Sequence, residues 1–233
     1  MGRMATPSPS PTPEVPRVAV RGEAHLEVEP ETAGLGITVN ARGRDRRSAL
    51  DDLTRRNAEV VELVKSYGEA VERLETGFFS ITPELSPHGR GERVRSYHGR
   101  VHIVAELSDF TALGELVTRA SELELTRVDG PWWGLRPDSP VYREARRQAV
   151  HEAIKRARDY AEALDTTLTS LVEIADIGAD GAEAFSRTAG RARSMAFAAA
   201  TDDETPPPLD LEPQRRHVSA QVNARFTIAP PRL

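Results

Sequence analysis

Polar and apolar residues alternate along the first patterned stretch of the chain. Val18, Val20, Ala24, Leu26 and Val28 carry the period of a strand with one buried face, and Pro30 ends the run. After a short Glu/Thr turn, Leu35, Ile37, Val39 and Ala41 repeat the alternation, so the two strands are expected to pair antiparallel. From Arg47 to Tyr67 the period lengthens. Leu50, Leu53, Val60, Val61 and Val64 fall on one face of an amphipathic helix, with Gly68 as its stop. Asp51 with Arg55 and Asp52 with Arg56 have the favourable i,i+4 order. Asn57 lies on the apolar stripe, where a structural hydrogen bond to a loop or strand end is expected.

Two strands, about 71–83 and 93–107, follow on either side of SPHGRGE, the pattern of a long-looped hairpin. Phe110, Leu113, Leu116, Val117 and Ala120 mark a short helix, with Asp109 placed to cap its first amides. Leu125 to Leu135 reads as a strand. Ser139 and Pro140 open a long helix that runs to about Leu164. Strands at 168–177 and 217–228 close the pattern, separated by a long connection. Arg187, Arg191 and Arg193 in that connection read as a solvated face.

The order predicts an α+β fold of two βαββ units, 33–107 and 125–228, whose antiparallel or mixed sheets pack against one long and two shorter helices. Residues 1–16 read as a disordered Pro/Ser-rich tail, 17–229 as a single domain with a flexible insertion at 179–214, and 230–233 as a second tail.

Within the long helix, Ala145, Ala149, Ala153, Ala157 and Ala161 recur every fourth residue. Four steps of about 100° advance each alanine about 40° round the helix, so the ladder is a slanting groove of small residues suited to close packing on a sheet. Just before it stand Trp132 and Trp133. Neighbours on a strand point to opposite faces, so at most one ring is expected in the core and the other at the surface.

Composition then removes chemistries. No apolar run approaches the roughly 18 residues that a membrane span needs. A net charge of −5 opposes non-specific binding to nucleic acid. The absence of cysteine excludes disulfides, thiolate catalysis and Cys-ligated zinc. MGRMATPSPSPTPEVP has no apolar core of a secretory signal, so a cytoplasmic location is expected.

His98 and His102 share one face of a strand. Their Cα atoms are roughly 13 Å apart at about 3.3 Å per residue, too far to chelate one ion, so they are expected to face solvent or a neighbouring subunit. His25, His88 and His217 come with no local triad, and no nucleophile elbow or phosphate-binding loop is present. No catalytic residue, metal or cofactor is expected.

Several motifs taken together resemble the SIMPL domain family, which includes bacterial periplasmic immunogenic and oxidative-stress defence proteins. They are VRGEAHLEVEPETAGLGITV, ALDDLTRRNAEVVELV with Asn57, LETGFFSITPEL with Thr76, YHGRVHI, and YREARRQAVHEAIKRARDYAEAL before the last strand. The resemblance implies two βαββ units, a non-catalytic protein, a periplasmic alternative for location, and ring-like homo-oligomers as in some relatives. It carries no catalytic set to transfer. The chain departs from the family in its Pro/Ser start, in LTRVDGPWWGL and in EPQRRH. The leading expectation is therefore an oligomeric scaffold with an unknown protein partner, in envelope or oxidative-stress physiology. The alternative is a small-molecule module with a pocket at the Trp132/Trp133 junction, and an unrecognised hydrolase ranks last.

Overall fold

The computed structural model describes residues 12–85, 94–176 and 207–232. His88, the three arginines of the long connection, and residues 1–11 of the tail lie outside the described residues. The strands are β1 (Arg17–Val28), β2 (Thr32–Gly43), β3 (Val71–Leu85), β4 (Val94–Leu107), β5 (Thr126–Gly134), β6 (Leu168–Asp176) and β7 (Arg216–Ile228). The helices are α1 (Arg46–Lys65), α2 (Phe110–Ser121) and α3 (Pro140–Ala163). The fold is α+β, with one sheet ordered β3-β4-β2-β5 and another ordered β1-β7-β6. These elements fall into two compact units. One holds β2 to β5 with α1 and α2, and the other holds β1, α3, β6 and β7.

In the four-stranded unit, β2 is central and pairs antiparallel with both β4 and β5. Its alternation is obeyed strictly. Ala33, Leu35, Ile37, Val39 and Ala41 are buried with Val101, Ile103, Ala105 and Leu107 of β4. Against that face pack Leu53, Val60 and Val64 of α1 and Leu113, Leu116 and Ala120 of α2. Asp109 caps α2 as its spacing predicts, its Oδ1 accepting from the Thr111 and Ala112 amides at 2.9 and 3.1 Å. On α1, Asp52 takes both arginines, Arg55 at 2.8 Å and Arg56 at 2.9 Å, so the expected Asp51–Arg55 pair gives way to an i,i+3 pair.

The expected hydrogen bond of Asn57 is not formed. Its Oδ1 is buried and accepts from no donor among the described residues. The stripe it sits on packs against strands whose backbone amides are already committed to the sheet.

The expected β1–β2 hairpin is also replaced. Both edges of β2 are taken, by β4 and β5, so β1 has no place beside it and pairs with β7 instead. By the same exchange β5 joins the four-stranded sheet, and β1 rather than β5 supplies the first strand of the second βαββ unit. That second unit is thus split in sequence, with β2 to β5, α1 and α2 inserted between β1 and α3.

Within the split unit the alanine ladder meets β1. All five alanines are buried, and Ala149, Ala153 and Ala157 share a core with Val20, Ala24, Val222, Ala224 and Phe226. Gly22 sets the closeness: a Cβ there would lie 1.9 Å from the Ala149 carbonyl oxygen and 2.8 Å from the Ala153 Cβ. Ser139 caps α3 through the Val141 amide at 3.3 Å.

The end of the expected flexible insertion is held in place. The Leu209 amide donates to Thr118 Oγ1 at 3.0 Å, and Leu211 packs against the core of the four-stranded unit. Gly114 of α2 admits the Leu209 carbonyl, which would lie 2.4 Å from an added Cβ. A leucine with an apolar seat and an amide with an acceptor are reasons for order that composition alone does not reveal.

Candidate functional site

The face of the four-stranded sheet opposite α1 and α2 carries three of the four residues singled out from sequence. On β2 the positions facing that side are Gly34, Gly36, Thr38, Asn40 and Arg42. Across the register Thr38 meets His102 and Arg42 meets His98 on β4, while Gly34 meets Trp132 on β5. The two tryptophans part company as strand geometry requires. Trp133 turns inward and meets the Phe110 ring edge-on at 4.9 Å, whereas Trp132 is 55% exposed. They therefore share no pocket at the strand-to-helix junction, because the sheet itself lies between them.

Trp132 lies over the two glycines. An added Cβ on Gly34 would be 3.6 Å from its Cε3, and one on Gly36 would be 3.0 Å from its Cη2. The same Gly36 position is 2.8 Å from His102 Cε1, so imidazole and indole both overhang it. His102 is oriented by a 3.1 Å hydrogen bond between its Nδ1 and the Thr38 hydroxyl. It stacks on Phe78 of β3, the ring centroids 5.9 Å apart at 24°. Trp132, His102 and Phe78 thus form one aromatic strip across all four strands. Sequence reasoning missed Phe78, Gly34 and Gly36. The available signal was two alternate glycines in an otherwise regular strand, which mark a close approach.

His98 belongs to a different cluster on the same face. Glu84 Oε2 accepts from Arg42 Nη2 at 2.6 Å, meets His98 Nε2 at 3.0 Å, and takes the Ser96 hydroxyl. The carboxylate stands in the middle, so the serine is bonded to the acid and not to the imidazole. This is the wrong order for activating a serine nucleophile, which needs the base at its hydroxyl. The Ser96 hydroxyl first, then His98 and Arg42, hold the Glu84 carboxyl down to about 2.

A depressed carboxylate pKa stabilises the fold above the ordinary value of 4.5, and that contribution is lost as pH falls through the folded value. The Glu84 carboxyl carbon is therefore expected to titrate near 2 by NMR, and Ser96→Ala to move it up. A parent midpoint above 4 would contradict the cluster.

Other recesses add less. A shallow recess of about 370 Å³ in the split unit is lined by Arg21, Glu173 and Arg225 among others, with Arg225 and Glu173 paired at 2.6 Å. Among the described residues no group of three or more His, Asp or Glu side chains is placed to hold a metal ion, and no helix is long and apolar enough to cross a membrane.

Two sheets with their helices, one unit inserted into the other, and an open sheet face with an aromatic strip define an α+β protein of the double βαββ type. The chain belongs to the SIMPL family, described as a protein of unknown function (DUF541), whose pattern matches residues 18–226. It is 25% identical over 173 residues to the 26 kDa periplasmic immunogenic protein of Brucella melitensis, covering 71% of this chain and 68% of that one. The uncharacterized protein YggE of Edwardsiella ictaluri is 25% identical over 170 residues, covering 72% of this chain and 70% of its own. A solved structure described as a putative amidohydrolase/peptidase from Burkholderia cenocepacia matches 57% of the chain at 17% identity. Its TM-score is 0.25 and the match spans 33% of that structure, so it bears on neither fold nor activity here.

Proposed function

We propose that this chain is a non-catalytic interaction module of the SIMPL family that assembles with further copies of itself and carries a protein partner. One observation supports the reading above the others. Strand β3 is a 15-residue edge strand on which Phe78, Phe79 and Leu85 are 47%, 56% and 47% exposed. The charges of Glu72, Arg73, Glu75 and Glu84, Pro83 and three register shifts guard the two ends of this edge, and the uncharged stretch 77–82 between them is where a further strand can pair. The name of the Brucella relative supports a periplasmic site of action; the cytoplasmic expectation rests on the N-terminal sequence alone. Fractionation of the native cell separates the two locations.

Light scattering tests assembly. The parent is expected at a multiple of 25.6 kDa and Phe79→Lys at a single copy, since a lysine on an edge strand blocks pairing. A parent that stays at one copy at high concentration refutes the proposal.

A second reading is favoured by Trp132. An exposed indole seated on a glycine floor beside two further rings is a ready-made surface for a ligand with an apolar face.

A further inference from the structure

We propose that the strip formed by Trp132, His102 and Phe78 docks an extended proline-rich segment, and that its occupant is the proline-rich N-terminal segment of a second copy of this chain. The inference rests on the ligand-binding reading of Trp132 and names its ligand.

Three features support it. The first is shape. The strip crosses four strands, three spacings of about 4.8 Å, and so is about 14 Å long. A polyproline II chain rises about 3.1 Å per residue and would lay about five residues along it. Aromatic rings set side by side on a β-surface are the surface that proline-rich ligands use, because the pyrrolidine face packs on a ring and the backbone is stiff before it binds.

The second is composition. Residues 4–13 read MATPSPSPTP, with no charge and with prolines at 7, 9, 11 and 13. In a helix of three residues per turn, prolines at every second position fall on all three faces in succession. One proline therefore meets the rings whatever the rotation of the segment.

The third is charge. Gly34, Gly36, Phe78 and Trp132 are uncharged, and an uncharged segment loses no ion hydration on packing against them. The charges of the same sheet face that flank the strip are paired with one another, Arg42 with Glu84, Arg127 with Asp129 and Arg73 with Glu106.

The test uses the full chain with Pro7, Pro9 and Pro11 replaced by serine, titrated with a synthetic peptide of residues 4–13. The readout is the indole N–H signal of Trp132 in a proton–nitrogen NMR spectrum, assigned by its loss in Trp132→Phe, while the rest of the spectrum reports folding. The expected result is a saturable shift of the Trp132 signal, no shift with a proline-free peptide, and at least fivefold weaker binding in Phe78→Ala. A Trp132 signal that ignores the peptide but shifts with a chitin oligosaccharide overturns the proline inference and leaves the ligand-binding reading standing. A signal that ignores both overturns both.

Discussion

Ala153→Arg is expected to unfold the split unit or destabilise it by at least about 3 kcal/mol, the size associated with overpacking and with burying an unpaired charge. Ala153 is fully buried, and its Cβ would lie 2.8 Å from a Cβ on Gly22. A guanidinium has no exit there, because Ala149, Ala153 and Gly22 form a backbone-to-backbone contact and not a side-chain layer that can repack. Gly22→Val tests the other side of the same contact and should do similar damage, since its Cβ would fall 1.9 Å from a backbone oxygen. Arg158→Ala on the exposed side of α3 is the control and should change stability by no more than about 0.5 kcal/mol. Urea unfolding followed by circular dichroism measures all three. An unchanged midpoint for Ala153→Arg would refute the packing of α3 on β1.

Gly36→Val sets two effects against each other. A strand position with one face open ordinarily gains from glycine to valine, by up to about 1 kcal/mol on β-propensity. Here the new side chain would start 2.8 Å from His102 Cε1 and 3.0 Å from Trp132 Cη2, an overlap worth about 1–3 kcal/mol. The clash wins, so the variant is expected to be less stable by about 1 kcal/mol. Its indole is lifted from the sheet and its Trp132 emission shifts to the red. A more stable variant with unchanged Trp132 emission would show that the glycines do not make the seat of the indole.

Much of the fold was legible because it depends on local periodicity. The alternation of β2, the stripe of α1, the caps Asp109 and Ser139 and the burial of the alanine ladder follow from side-chain spacing, and each is found where that spacing puts it. Strand pairing was less legible. The short link between β1 and β2 implies a hairpin locally, yet β2 has only two edges and both go to longer-range partners. Asn57 shows the same limit at the scale of one side chain: its face is set by the helix period, whereas its hydrogen bond depends on what the sheet has already used.

The candidate site divides along the same line. That one tryptophan would face inward and one outward is a property of adjacent strand residues, and the sequence alone determined it, along with the α+β class, the helix faces and the separation of His98 from His102. Only the tertiary structure decided that Trp132 settles over Gly34 and Gly36, that His102 joins it with Phe78, and that His98 goes instead to Glu84, Ser96 and Arg42. Those groupings are set by register across β3, β4, β2 and β5. Register comes from the burial of a whole sheet face at once, which no local stretch of the chain encodes.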